Sequence, residues 1–263
     1  MTYTEKYAIT EYHYFYQEEK KIHDSFYSGH SDRFSVSDSV DPGASCSASD
    51  PEEKAGVCDK VSRALIRWIF RVILFFPVTK VTVKGQENIP KDRAVLYIGN
   101  HRSYFDILVT YTTVPGSCGF VAKKELSRIP LLKNWMELIH CLFLDRSDIK
   151  QGLQMILSGC EEIKSGTSIC ISDTRGKTES ELELGEFHNG SFKMATKTGC
   201  PIIPLSISGS REILEAHFPK IRGTHVTVTY GKPIIPGELT KEEKKEIGNY
   251  TKNILLEQLK ENA

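Results

Sequence analysis

In the stretch YIGNHRSYFDILV, residues 97–109, His101 and Asp106 stand five positions apart, with Asn100 just before them. A carboxylate that orients one imidazole nitrogen leaves the other free as a general base near neutral pH, which suits removal of a proton from a hydroxyl. In a regular helix a spacing of five turns the two side chains roughly 140° apart. The pair therefore meets only if His101 lies in a loop and Asp106 in the first turn of a helix. Ser103 and Asp106 also fit a capping box, with Ser103 as N-cap and Asp106 three residues on. The capping reading accounts for the aspartate and leaves the histidine unexplained. The two readings cooperate, because the cap fixes the turn that the pair requires. The same spacing recurs at His140 and Asp145 in HCLFLD, where the chain runs into a predicted strand and a separation of five points side chains to opposite faces. Spacing alone is thus a weak signal, and its place between a strand and a helix gives it meaning.

The elements that must position these residues are legible in the pattern. VTVKG, AVLYIG, GFVAK, CLFLD, SICIS, PIIPLSISG and HVTVTYG read as about seven strands, alternating with helical stretches. DIKQGLQMILSGCEEIKSG sets Ile149, Leu153, Ile156, Leu157, Cys160 and Ile163 on one helical face. A C-terminal helix opens at a capping box from Thr240 to Glu243 and presents Ile247, Tyr250, Ile254 and Leu255. This alternation predicts an α/β fold, a mostly parallel sheet flanked by helices, with ligands at the carboxyl ends of the strands. Asn100, His101 and Asp106 fall at such an end.

Three segments divide the chain. Residues 1–57 form a polar leader, with nine serines between positions 25 and 50; with so few aliphatic residues it is expected to be disordered or loosely ordered. Residues 58–78 read as an amphipathic helix with Arg63, Arg67 and Arg71 at i, i+4 and i+8 and Trp68 beside them. That pattern suits a helix lying at a membrane interface; the alternative is a helix packed on the core with its arginines in water. Arg67 and Arg71 also interrupt its apolar run, which is too short to span a bilayer. Residues 79–263 make the main domain.

Formal charge is zero over 263 residues, but the first 58 hold 11 acidic and 5 basic side chains, so the body carries a basic surplus of six. Such a surplus suits an anionic partner such as a phosphate ligand or an acidic membrane surface. Seven cysteines with no C-x-x-C pair point to reduced core thiols and no zinc site, and the acidic N-terminus does not read as an export signal. The chain has no G-x-S-x-G, P-loop or G-x-G-x-x-G, which disfavours serine hydrolase, NTPase and dinucleotide chemistry. No motif points to nucleic acid.

NHRSYFD resembles the first motif of the glycerolipid acyltransferases, the 1-acylglycerol-3-phosphate acyltransferase family, and further motifs follow in the same order. FLDR supplies Phe143 and Arg146 of the second, with His140 standing where the family has glycine. TRG supplies Thr174 and Arg175 of the third, EFHNGSFKMA resembles the Gly-x-Phe-Lys segment, and CPIIPLSISG fits the fourth through Pro201 and Pro204. The third motif departs from Phe-Pro-Glu-Gly-Thr-Arg: either Ser172 and Asp173 stand in the place of Glu-Gly, or two residues are missing. The resemblance covers about residues 59–236. It implies transfer of an acyl group from acyl-CoA or acyl carrier protein to the hydroxyl of lysophosphatidate, giving phosphatidate, with no metal or other cofactor. His101 is then the base, Asp106 its orienter, and Arg146, Thr174 and Arg175 bind the acceptor phosphate. The expected setting is the cytoplasmic face of a membrane, peripheral or monotopic. A non-catalytic alternative keeps the fold and binds lipid phosphate with a decayed third motif.

Overall fold

The computed structural model describes residues 51–145, 147–172, 182–185, 187 and 189–262. The leader therefore lies outside the described residues up to residue 50, and its last seven residues, 51–57, are helical, so the helix predicted for 58–78 runs instead from Pro51 to Phe75. Each of the seven predicted runs forms a strand: β1 (Lys80–Lys84), β2 (Leu96–Gly99), β3 (Cys118–Lys123), β4 (Leu142–Leu144), β5 (Ser168–Ser172), β6 (Ile202–Ser208) and β7 (His225–Tyr230). They make one sheet in the order β1-β7-β6-β2-β5-β3-β4. All neighbouring pairs are parallel except β6 with β7. Consequently β1 and β7 run against the other five, and their first residues share an edge with the carboxyl ends of β2, β5 and β6.

Both faces of the sheet are covered. Val95 and Tyr97 of β2 join Ile203, Leu205, Val226 and Val228 on one face. Over them lie α1 (Pro51–Phe75), α2 (Phe105–Thr113) and α3 (Pro130–Leu138), through Ile66, Leu74, Val109, Tyr111 and the partly buried Trp135. Leu96 and Ile98 point the other way, with Ile169, Ile171 and Ile202, beneath α4 (Ile149–Lys164), α5 (Lys193–Thr198) and the C-terminal helix α7 (Ile247–Asn262). A strand buried on both sides is apolar throughout, which is why AVLYIG does not alternate. Cys118, Cys141, Cys160, Cys170 and Cys200 are buried free thiols that fill space in the core, and burial pushes Cys170 up to about 12 and Cys141 to about 11.

Two predicted helix faces are corrected. In α4 the buried arc runs through Ile156, Gly159, Cys160 and Ile163, whereas Ile149, Leu153 and Leu157 are exposed. The helix is rotated because Gly159 seats it against Met194, where a Cβ would stand 2.5 Å from the sulfur. At the C-terminus the capping box of Thr240 and Glu243 is present, but it opens a single turn, α6 (Lys241–Lys245), ahead of α7. Tyr250 is exposed, and Ile247, Thr251, Leu255 and Leu259 take the inner face.

The arginine stripe of α1 is not turned outward as a unit. Arg67 turns toward the domain, where its Nη2 donates to the carbonyls of Val114 (3.0 Å) and Gly116 (3.3 Å). Its guanidinium stands 5.8 Å from the Tyr111 ring centroid, and Phe70 meets that ring edge-on. Val61, Leu65, Trp68 and Phe75 lie outward, with Arg71 exposed. The polar residue is thus the internal anchor and the apolar stripe the outer surface, because the C-terminal carbonyls after α2 need donors that only an arginine at this position supplies. Among the described residues no helix is long and apolar enough to cross a membrane.

Arg67→Ala should lower stability by about 1–3 kcal/mol, since two carbonyls lose a charged donor, while Arg71→Ala should change it by under ~0.5 kcal/mol. Urea unfolding of the two variants checks this.

Candidate active site

The site begins where β2 ends. A Cβ on Gly99 would stand 2.6 Å from the Leu205 carbonyl oxygen, so only glycine lets β6 come this close. Asn100 follows and is buried. Its Nδ2 donates to the Ile207 carbonyl (2.8 Å) and its Oδ1 accepts from the Ile207 N–H (2.9 Å), so one amide replaces a strand at the point where β2 stops. This brace holds the next residue, His101, at the carboxyl edge of the sheet.

The turn 101–106 then closes on a single oxygen. Asp106 Oδ2 accepts from Arg102 N–H (2.7 Å) and Ser103 N–H (2.9 Å) and stands 3.2 Å from His101 Nδ1. A carboxylate only accepts, so the contact places a proton on Nδ1, and in the neutral ring the lone pair then lies on Nε2. Asp106 is 3% exposed and His101 38%, so the orienting group is sealed while the ring is reachable from outside. Asp106 Oδ1 is buried without a hydrogen-bond partner among the described residues.

The capping box is present in altered form. Asp106 reaches back to the Ser103 N–H as expected, but the Ser103 hydroxyl accepts from Phe105 N–H (3.0 Å), not from Asp106, and the helix starts at Phe105. The remaining N–H of the turn, on Tyr104, donates to Glu215 Oε1 (2.8 Å). Glu215 and Ile207 lie more than a hundred residues from the turn, and no local signal marks either as part of the site.

The second H-x-x-x-x-D pair behaves otherwise. His140 Nδ1 stands 3.0 Å from Glu162 Oε2. Hydrogen bonds from the Ser147 hydroxyl and N–H, and from Lys124, hold the Asp145 carboxyl down at about 2. His140 has φ 59°, in the left-handed region that favours glycine, which explains why the related motif carries glycine there.

Arg146, Thr174 and Arg175 lie outside the described residues, as does Asp173. Ser172, which directly precedes Asp173, Thr174 and Arg175, pairs with Gly99 in register, two residues from His101; Arg146 follows β4, the edge strand three places from β2. Among the described residues no group of three or more His, Cys, Asp or Glu side chains is arranged to hold a metal ion.

A model of the Acyltransferase family matches residues 80–208, which contain the whole turn. A probable 1-acyl-sn-glycerol-3-phosphate acyltransferase of Mycoplasma pneumoniae is 30% identical over 196 residues, covering 69% of this chain and 73% of that one. The 1-acyl-sn-glycerol-3-phosphate acyltransferase of Saccharomyces cerevisiae is 29% identical, covering 75% of this chain and 67% of the relative. The crystal structure of the 1-acyl-sn-glycerophosphate (LPA) acyltransferase PlsC from Thermotoga maritima superposes with a TM-score of 0.65 at 22% identity, over 81% of this chain and 84% of that one, and shares its fold.

Asn100→Ala strands a buried N–H and a buried carbonyl and should cost about 2–4 kcal/mol of stability. Asn100→Asp should cost at least as much, because the carboxylate faces the Ile207 carbonyl with no proton to donate. Thermal unfolding of both variants measures the difference.

Proposed function

The chain belongs to the acyltransferase family, and from that membership we propose that it moves a fatty acyl group from an acyl thioester to the free hydroxyl of 1-acylglycerol 3-phosphate, forming phosphatidate. The observation that carries this reading is the contact of His101 with a buried, backbone-locked Asp106 at the carboxyl edge of the sheet. In the proposed reaction the acceptor hydroxyl lies at Nε2 of His101. As its oxygen attacks the thioester carbonyl carbon, Nε2 takes the proton and the imidazolium forms against Asp106. The carbon–sulfur bond then breaks, the departing thiolate receives that proton, and the neutral imidazole returns. The ester and the free thiol leave with no acyl-enzyme, and the steps need no metal or cofactor.

A fixed base serves this chemistry because the cost of orienting the imidazole is met in folding, when Arg102 and Ser103 N–H groups fix the carboxylate. Arg146, Thr174 and Arg175 are proposed to hold the acceptor phosphate; a guanidinium forks onto two phosphate oxygens, and the Gly99–Ser172 register supports the entry of Thr174 and Arg175 beside His101. The donor is acyl-CoA or acyl carrier protein. The outer face of α1, with Val61, Leu65, Trp68 and Phe75, supports attachment to an anionic membrane on the cytoplasmic side without crossing it, and no nucleic acid is involved.

Purified protein supplied with acyl-CoA or acyl carrier protein and, separately, lysophosphatidate, glycerol 3-phosphate and a lysophospholipid should yield phosphatidate from the first acceptor. Arg175→Ala should raise the acceptor KM and leave the donor KM nearly unchanged. Exclusive use of glycerol 3-phosphate, or no transfer at all, would overturn the reading.

His101→Ala should reduce kcat by about 10²–10⁴, and Asp106→Asn should retain a small residual rate, since an amide oxygen still accepts the backbone N–H groups. His140→Ala should stay within a few-fold of native. Equal losses for His101→Ala and His140→Ala in folded protein would contradict the assignment.

A further inference from the structure

We propose that the closed loop from Ile213 to Arg222 is a second membrane-contact element, which sets Phe218 and Ile221 into an anionic lipid surface beside the end of α1. The loop lies beyond the residues that match the family model. It is preformed: Arg222 N–H donates to the Ile213 carbonyl (2.8 Å), Lys220 N–H to His217 (2.9 Å) and His217 N–H to Leu214 (2.9 Å), while Ile213 is rooted in the core. Yet its tip holds two large apolar side chains in the open, Phe218 at 58% and Ile221 at 57% exposure. A loop already held in shape loses little further freedom on docking.

These two residues join a larger apolar surface. Ile221 shares a depression of about 290 Å³ with Ile73, Phe76, Pro77 and Phe105. A Cβ on Gly223 would run into the Pro77 carbonyl oxygen, so the loop is pressed against the turn after α1. Phe75, Phe76 and Val78 in that turn are exposed as well. Five large apolar residues grouped in this way mark a surface that is covered in use.

The charges identify what covers it. Within His217-Phe-Pro-Lys-Ile-Arg222 the exposed Lys220 and Arg222 alternate with the apolar residues, and Arg71 and Lys80 are exposed on the α1 side. The neighbouring acidic groups are engaged: Glu212 Oε2 stands 3.1 Å from His217 Nε2, and Glu215 accepts from Tyr104 N–H. An apolar tip with long cations at its rim fits a bilayer surface, where the stems lie along the acyl region and the charged heads meet phosphates. The patch sits at the sheet edge that carries His101, so two contacts, α1 and the loop, fix the tilt at which that edge meets the lipid. This last point rests on the proposed lipid acceptor; the contact itself does not.

The full chain is sedimented with vesicles of phosphatidylcholine, with and without phosphatidylglycerol. The double variant Phe218→Ser/Ile221→Ser should lower partitioning onto anionic vesicles by about tenfold or more. Lys220→Glu/Arg222→Glu, confined to exposed side chains, should lose a similar factor on anionic vesicles and little on neutral ones. Tyr250→Ser, exposed on α7, should bind as native, and matching melting curves establish that each variant is folded. Partitioning of both double variants within twofold of native overturns the proposal. So does a solution dimer that Phe218→Ser/Ile221→Ser converts to monomer, which assigns the patch to a second copy. No turnover enters the readout, so an inactive protein that binds through the loop counts against the proposed reaction and not against this surface.

Discussion

One carboxylate oxygen organises the sheet edge that carries His101. Asp106 Oδ2 gathers the N–H groups of Arg102 and Ser103 and the imidazole of His101 within 3.2 Å. Each contact serves two purposes, since the backbone donors that shape the turn also hold the acceptor that orients the ring. The surrounding structure is arranged to keep that oxygen in place. Gly99 brings β2 and β6 together, Asn100 ties the loop to Ile207, and Glu215 takes the Tyr104 N–H that the turn leaves over. The turn is thus held at its start, its centre and its end by groups from β2, α2 and the segment after β6. A local motif becomes a rigid site through long-range hydrogen bonds.

Sheet direction decides what lies beside that site. Because β1 and β7 run against the other strands, the turn after α1 and the loop before β7 are delivered to the edge where β2 ends. A wholly parallel sheet would have put both on the far side. Apolar residues at the end of α1, the depression lined by Phe105 and Ile221, and the turn of His101 therefore share one rim. Topology alone thus brings the proposed base and the proposed lipid-contact surface to the same edge of the sheet.

Much of this was readable in the chain itself. The central strands β2, β5 and β6 appear as apolar runs because they are buried on both faces, β1 and β7 appear as Val-Thr alternations, and the strand-loop-helix setting of NHRSYFD sets His101 apart from His140. What escaped were orientations and distant partners. Glu215 sits 111 residues from Tyr104, and nothing near it in sequence signals that role. In α1 the guanidinium stripe suggested an outward face, but the unsatisfied carbonyls of Val114 and Gly116 draw Arg67 inward, and a periodic pattern does not reveal such acceptors. In α4 the apolar periodicity was correct and its phase was not, because close packing of Gly159 on Met194 sets the rotation. Periodicity marks which residues form an element; the neighbours determine how it is turned.

The pairing of β1 with β7 also bears on the order in which the molecule is assembled. Among the described residues β1 has no other strand partner, and Thr82 reaches His225 across 143 residues. Closing so large a loop carries an entropic cost that is recovered only when β7 exists and is seated on β6. On the ribosome, α1 and β1 emerge early and must wait for nearly the whole remaining chain. During that interval the outer apolar stripe of α1 is already complete, while the core it will cover is not. On the proposed membrane contact of α1, a nearby bilayer would shelter the nascent helix, and the chain would meet that proposed surface before it has finished folding.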